Sequence, residues 1–330
     1  MEREIVKKEG YMIMICILLL CSALIIPAKV QAEEKRSLSA AAANYTDEER
    51  LAELVADLQS RGAAVSSYLH GSSQYTWDEA TGQLTGINWQ NKNIKGSLDF
   101  TGFRSLTKLN CRSNQIESVD VSGLTELLTL NLTLNRLTIL DTSGLTELKV
   151  LNCNQNQLTS LITTNLNNLT QLNCSVNSLT ALDVSTLVNL KYLIAYDNQI
   201  TMFDVSNLSE LKELECDVNK LVQLDVSNLT NLEYLGCDGN DITELNIANT
   251  PALQYLRCGD NSLTDLDVST STNLEILVCY NNELSELNIL NLTELSELDC
   301  TRNNITRLDI TGLTKLTSLR TDRDVEIIGE

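Results

Sequence analysis

Leucine recurs in this chain at one fixed interval, and that interval leaves few folds open. Leu106, Leu127, Leu148, Leu169, Leu190, Leu211, Leu232, Leu253, Leu274, Leu295 and Leu316 each stand 21 residues after the one before. Between them runs L-x-x-L-x-C-x-x-N-x-[LI]-x-x-[LVF]-D-V-S-x-L-x-x, and position nine is asparagine from Asn114 to Asn303, departing only at Asp324. Self-similarity at such a period marks an array of stacked units. One unit cannot bury its own leucines, but stacked units make a continuous core. In L-x-x-L-x-C the fourth and sixth residues share one strand face and point inward, while their neighbours point out. The asparagine at the following turn is a buried polar group that needs partners. Its amide is predicted to bond backbone groups of its own and the adjoining turn, as a ladder. In D-V-S-x-L a second apolar pair, Val121 and Leu124 in the first full unit, is predicted to line the opposite side. A unit this short has no room there for a full helix, so short extended or 3₁₀ segments are expected.

These residues resemble the leucine-rich repeat family in its bacterial, internalin-like secreted form, over about three quarters of the chain from Leu84 onward. The resemblance implies a repeat solenoid, the leucine-rich-repeat horseshoe (α/β by convention) with a concave parallel β-sheet. It further implies a binding protein of the surface or surroundings of a Gram-positive bacterium, with a host or neighbouring-cell protein as ligand. The chain departs from the usual internalin unit, which is one residue longer and apolar where cysteine stands here. No sorting motif, membrane tail or wall-binding module is visible toward the C-terminus, so free secretion gains weight beside attachment, and a secreted or cell-surface location is expected.

The flanks read differently from the repeats. Residues 1–32 are expected to be a signal peptide: Lys7 and Lys8 precede an apolar run from Tyr11 to Pro27, and Val30-Gln31-Ala32 offers a cleavage point. Residues 33–83 are assigned to an N-terminal cap. There Thr46-Asp47-Glu48-Glu49 is a capping box, and Leu51, Leu54, Val55 and Leu58 follow at helical spacing, with Gly62 as a stop; a helix is predicted near 46–61. Leu84, Ile87, Trp89, Lys92 and Ile94 mark a degenerate first unit over 84–105, and regular units run from 106 to 321. Residues 322–330 are the C-terminal end, a partial unit holding Ile327 and Ile328.

Composition narrows the chemistry. The net charge of −20 argues against nucleic-acid ligands and anionic membrane surfaces, both of which attract Lys and Arg. A single histidine, His70, argues against histidine-based metal or triad chemistry, and no cofactor and no enzymatic activity are expected. Eight of the ten cysteines (Cys111, Cys153, Cys174, Cys216, Cys237, Cys258, Cys279 and Cys300) occupy position six, where two units carry Leu132 and Ala195 instead. A site shared with leucine and alanine wants an apolar group rather than thiol chemistry. Disulfide staples between adjacent strands are the alternative, but in-register side chains on parallel strands keep their Cβ atoms near ~4.8 Å, wider than the ~3.8 Å a bridge prefers. Reduced, buried thiols are expected.

Positions three, five, seven and eight are predicted to face the concave surface, and they divide the repeats. Position five is a polar ladder in the early units, Asn110, Asn131, Asn152 and Asn173, and then becomes Ile194, Glu215, Gly236, Arg257, Val278 and Asp299. Tyr192, Tyr234 and Tyr255 share position three, and Tyr196 and Tyr280 share position seven. Acids surround them at Glu213, Glu215, Asp217, Asp238 and Asp260, with Arg257 the one basic residue inside. The ligand-binding candidates are therefore Tyr192, Tyr196, Glu213, Glu215, Asp217, Tyr234, Asp238, Tyr255, Arg257 and Tyr280. Tyrosines supply rigid contact area with a polar end, and the acidic rim would speed encounter with a basic partner. Aromatic packing across a tolerated surface is the bland alternative. Glu215, Asp217 and Asp238 could instead hold calcium through oxygen, or be imagined as a glycosidase pair; charge crowding without a deep pocket is the reading preferred to both. The rival functions are a carbohydrate-binding module, its tyrosines stacked on sugar rings, and a spacer without a ligand.

Overall fold

A computed structural model describes residues 45–329; the expected signal peptide, with Cys16 and Cys21, lies outside the described residues. The chain divides into a unit ending at Arg50 and a unit from Leu51 to Glu330. In the first, Thr46 Oγ1 accepts the Glu49 N–H at 3.2 Å while the Glu49 carboxylate accepts the Thr46 N–H at 2.9 Å. Those reciprocal bonds are the capping box, and they hold the Glu49 carboxyl below its ordinary range. The helix they open runs over Asp47–Ser60.

In the second unit the helix buries Leu51, Val55 and Leu58 in the same core as Ile94 and Phe100. It stops where Gly62 takes φ 84°, and the Ala63 N–H returns to the Leu58 carbonyl at 3.0 Å. The Ala64 N–H then donates to the Lys92 carbonyl at 2.7 Å, seating this segment on the degenerate first turn. A 13-stranded sheet follows, its strands in sequence order from Tyr75–Trp77 to Ser318–Arg320. Every pairing is parallel and in register except the first, where Tyr75–Trp77 runs antiparallel to Leu84–Asn88. That edge strand has no repeat text to announce it. Trp77 Nε1 donates to the Leu69 carbonyl at 2.8 Å and Tyr75 Oη to the Ser66 carbonyl at 2.7 Å, both contacts made by the fold of the cap.

Each regular turn spends positions three to five on the strand and buries four and six, as in Leu109 and Cys111. The eight position-six cysteines are free and buried, and Leu132 and Ala195 fill the same column. Burial pushes every one of these thiols up, Cys174 to about 12. The asparagine ladder takes the predicted form. Asn135 Nδ2 donates to the carbonyls of its own Leu132 at 2.9 Å and of Cys111 one turn back at 3.0 Å, and its Oδ1 accepts the Ile116 N–H at 3.0 Å. The residue just before each asparagine is left-handed, including Leu134, Val176 and Val218 at φ 58°, 54° and 52°. That conformation aims the N–H of position eight at the next turn's carbonyl, as from Val218 to Asp238 at 2.8 Å.

The opposite side carries short parallel ladders and no helix, for example Gln223–Asp225 with Glu244–Asn246. The aspartate of D-V-S holds the bend after it: Asp120 Oδ1 accepts the Ser122 N–H at 3.0 Å, and Asp225 Oδ1 the Ser227 N–H at 2.9 Å. At the far end Glu326–Ile328, within the partial unit at residues 322–330, pairs with Arg307–Asp309. The final half-turn continues the stack because Ile327 packs on the core like the D-V-S-x-L apolar residues before it.

Candidate functional site

The sheet register brings the candidate residues together column by column. Tyr192, Glu213, Tyr234 and Tyr255 are direct neighbours at position three, and Ile194, Glu215, Gly236 and Arg257 at position five. Seven of the ten candidates border one open hollow of 480 Å³: Tyr196, Glu215, Asp217, Tyr234, Asp238, Arg257 and Tyr280, joined by Val218, Gly239 and Asp260. The other three lie beside it. Tyr192 borders a smaller hollow of 230 Å³ with Asn152, Asn173 and Ile194, at the end of the asparagine ladder. Tyr255 packs on Tyr234 with ring centroids 6.1 Å apart, and Glu213 neighbours Glu215 on one strand face.

All five tyrosines are half-buried rather than fully exposed; Tyr234 and Tyr255 lie against each other, and the Tyr280 ring lies over the backbone at Gly259. Glycines make that room. A Cβ on Gly259 would stand 2.5 Å from the Tyr280 ring. One on Gly236 would stand 2.7 Å from Asp217 Oδ2 and 3.2 Å from the Tyr234 ring. Gly236, Gly239 and Gly259 were not among the sequence candidates. The signal was there to read, since three glycines take outward-facing positions in two consecutive turns.

The carboxylates differ in what they hold. Asp238 is buried, and its Oδ2 accepts from Arg257 Nε at 2.9 Å and Nη2 at 2.6 Å. Its Oδ1 accepts the Gly259 N–H at 2.6 Å, so Asp238 and Arg257 are committed to each other and to the backbone. Asp260 takes the Tyr280 hydroxyl at 2.8 Å and Asn281 Nδ2 at 2.6 Å, which raises the Tyr280 phenol to about 12. Asp217 Oδ1 accepts the Asp238 N–H at 3.0 Å; burial, then the Asp238 charge, push its carboxyl up. Glu215 is pushed up to about 7, first by burial, then by its hydrogen bond with Glu213 and the charges of Glu213 and Asp217, with Arg257 opposing. Among the described residues no group of three His, Cys, Asp or Glu side chains is placed to hold a metal ion. No helix among them is long and apolar enough to cross a membrane.

An unbroken stack of parallel turns at a 21-residue period, with a buried asparagine column, defines a leucine-rich repeat protein. This chain is one, and its repeat is internalin-like. It is similar to the functional domain of InlJ from Listeria monocytogenes, which includes a cysteine ladder, at 38% identity and a TM-score of 0.68. That match covers 72% of this chain and 54% of that one, so this chain spans about half of the InlJ structure. The internalin InlF of L. monocytogenes shares the fold at 23% identity and a TM-score of 0.54, covering 84% and 89% of the two chains. YopM from Yersinia enterocolitica does so at 22% and 0.55, covering 74% and 59%. No family model and no curated relative matches the sequence.

Proposed function

We propose that this chain is an exported leucine-rich repeat protein that binds a protein ligand on its concave sheet, at the surface or in the surroundings of a Gram-positive bacterium. One observation carries the reading. The early turns present a uniform amide ladder, and from Tyr192 onward the same columns load tyrosines and carboxylates around one hollow. The likeness to InlJ, with its cysteine ladder, supports the internalin-like setting. The ten sequence candidates form the binding face, Glu213, Tyr255 and Tyr192 flanking the hollow and the other seven lining it. Tyrosine-rich patches anchor interfaces because a rigid ring buries large area at little entropic loss.

The test is capture of cell-surface proteins by the chain without residues 1–32, at two salt concentrations, against the double variant Tyr234→Ala, Tyr255→Ala. Loss of capture with an unchanged melting curve is expected, as is weaker capture in high salt. Full capture by the double variant refutes the assignment. A glycan array with strong hits and no protein capture would favour the carbohydrate reading instead.

A further inference from the structure

We propose that the hollow bordered by Tyr196, Tyr234 and Tyr280 is a socket for a single arginine or lysine side chain of the protein ligand; this rests on the concave face being a protein-binding surface. The cavity itself comes first. Gly239 borders it without a side chain, Gly236 leaves room for the Asp217 carboxylate and the Tyr234 ring at its edge, and Gly259 lets the Tyr280 ring lie down against the backbone as one wall. Aromatic walls attract organic cations through the ring quadrupole.

The charge account decides what the cavity takes. Four carboxylates line it against one guanidinium, that of Arg257. Asp238 and Asp260 have already committed both oxygens to donors within the protein. What is left is Asp217 Oδ2, which hangs over the bare Cα of Gly236, and Glu215, which shares a hydrogen bond with the Glu213 carboxyl and has no cationic partner. Among the described residues no ion pair reaches either group. Arg257 shows that a guanidinium fits in this hollow, bonded to the carboxylate one turn before it. The open carboxylates stand on the turn preceding Asp238, and a second guanidinium or an ammonium can reach them from solvent. A calcium ion is the poorer fit, since it wants six to eight oxygens and most of these are occupied by N–H and O–H donors.

Occupation is linked to pH. Glu213 and Asp217 on its own turn stand beside Glu215, with Tyr192 and Tyr196 on the turn before, Tyr234 and Asp238 on the turn after, and Arg257 beyond. An incoming cation offsets the burial and repulsion that keep Glu215 protonated near neutrality, so binding releases a proton and strengthens as pH rises from 6 to 8.

The experiment is an NMR titration of the chain without residues 1–32, following the backbone signals of Asp238, Gly239 and Gly259. The probes are N-acetyl-arginine amide and its neutral isostere N-acetyl-citrulline amide. Saturable shifts are expected with the arginine probe, about tenfold weaker with citrulline and several-fold to about tenfold weaker at pH 6 than at pH 8. Asp217→Asn should weaken the arginine probe about fivefold or more. Glu215→Gln should flatten the pH dependence, and Arg257→Gln, which frees Asp238, should tighten binding. Equal binding of the two probes, or an unchanged Asp217→Asn affinity, overturns the socket. If Asp217→Asn also captures protein at full strength while Tyr234→Ala, Tyr255→Ala does not, the socket is wrong and the binding face stands. If the double variant captures fully, the wider reading is wrong.

Discussion

Asn219 sits in mid-stack, 5% exposed, and replacing it with alanine tests the ladder that joins the turns. Its Nδ2 donates to Ala195 O at 3.0 Å, Cys216 O at 3.1 Å and Asp217 O at 3.2 Å, and its Oδ1 accepts the Ile200 N–H at 2.9 Å. None of the three carbonyls becomes an orphan. Ala195 O keeps Asn198 Nδ2 at 3.2 Å, Cys216 O keeps Asn240 Nδ2 at 3.1 Å, and Asp217 O keeps the Asp197 N–H at 2.9 Å. The Ile200 N–H has no such reserve and is left unpaired inside the core. One orphaned buried donor costs ~1–3 kcal/mol, and that sets the expected loss for Asn219→Ala. In a chain of this size each kcal/mol lowers Tm by about 2–4 °C, well within reach of a thermal melt. Amide hydrogen exchange gives the local readout, with the Ile200 amide losing protection before those of distant turns. Asn219→Asp should cost more at neutral pH, because it turns a carboxylate oxygen toward three carbonyls. Its carboxyl pKa is then raised in the folded state, so that extra loss grows as pH rises above the ordinary carboxylate range. A melt of Asn219→Ala indistinguishable from wild type, with Ile200 still protected, would refute the ladder as a source of stability.

Three further outcomes follow from the same structure. Val218→Gly should raise stability by ~0.5–2 kcal/mol in urea unfolding. A β-branched residue at φ 52° is strained by ~1–3 kcal/mol, glycine returns ~0.5–1 kcal/mol as unfolded-state entropy, and the next turn already carries Gly239 at this position. The eight repeat cysteines should resist a thiol reagent in the native protein and all react once it is denatured, because burial has pushed their pKa values up; fewer than about six reactive thiols would show disulfides in the ladder. Glu215 binds its proton more tightly folded than unfolded, so its charging erodes stability as pH climbs from its ordinary range to about 7. Glu215→Gln should therefore gain on wild type between pH 5 and pH 8 in thermal melts, and a constant difference across that range would contradict the raised carboxyl.

The legible part of the fold is the part written into local, repeated text. The period, the buried columns at positions four and six, and the asparagine at nine each follow from one unit stacked on an equal one, so one pattern gives every turn. The capping box of Thr46 and Glu49 is equally local, closing over three residues. The antiparallel Tyr75–Trp77 strand was not legible, because its pairing depends on side chains of the cap that belong to no repeat. The pairing partner of Glu326–Ile328, in the partial unit expected at the C-terminal end, was not legible for a related reason: it lies on the far side of the stack, with residues 19 positions earlier.

For the candidate site, the sequence by itself determined the columns: which tyrosines and acids share positions three, five and seven, and where the amide ladder gives way to them. It could not say which of those groups are already spoken for. Arg257 and Asp238 look like surface charges on the page, and in the fold they bond one another over 19 residues of sequence, while Gly236 opens the space beneath Asp217. Side chains on strands ~4.8 Å apart choose partners across turns by reach and by the room a neighbour leaves. That choice is three-dimensional. The repeat sets where each residue stands, and only the packed stack decides which oxygens remain open to a ligand.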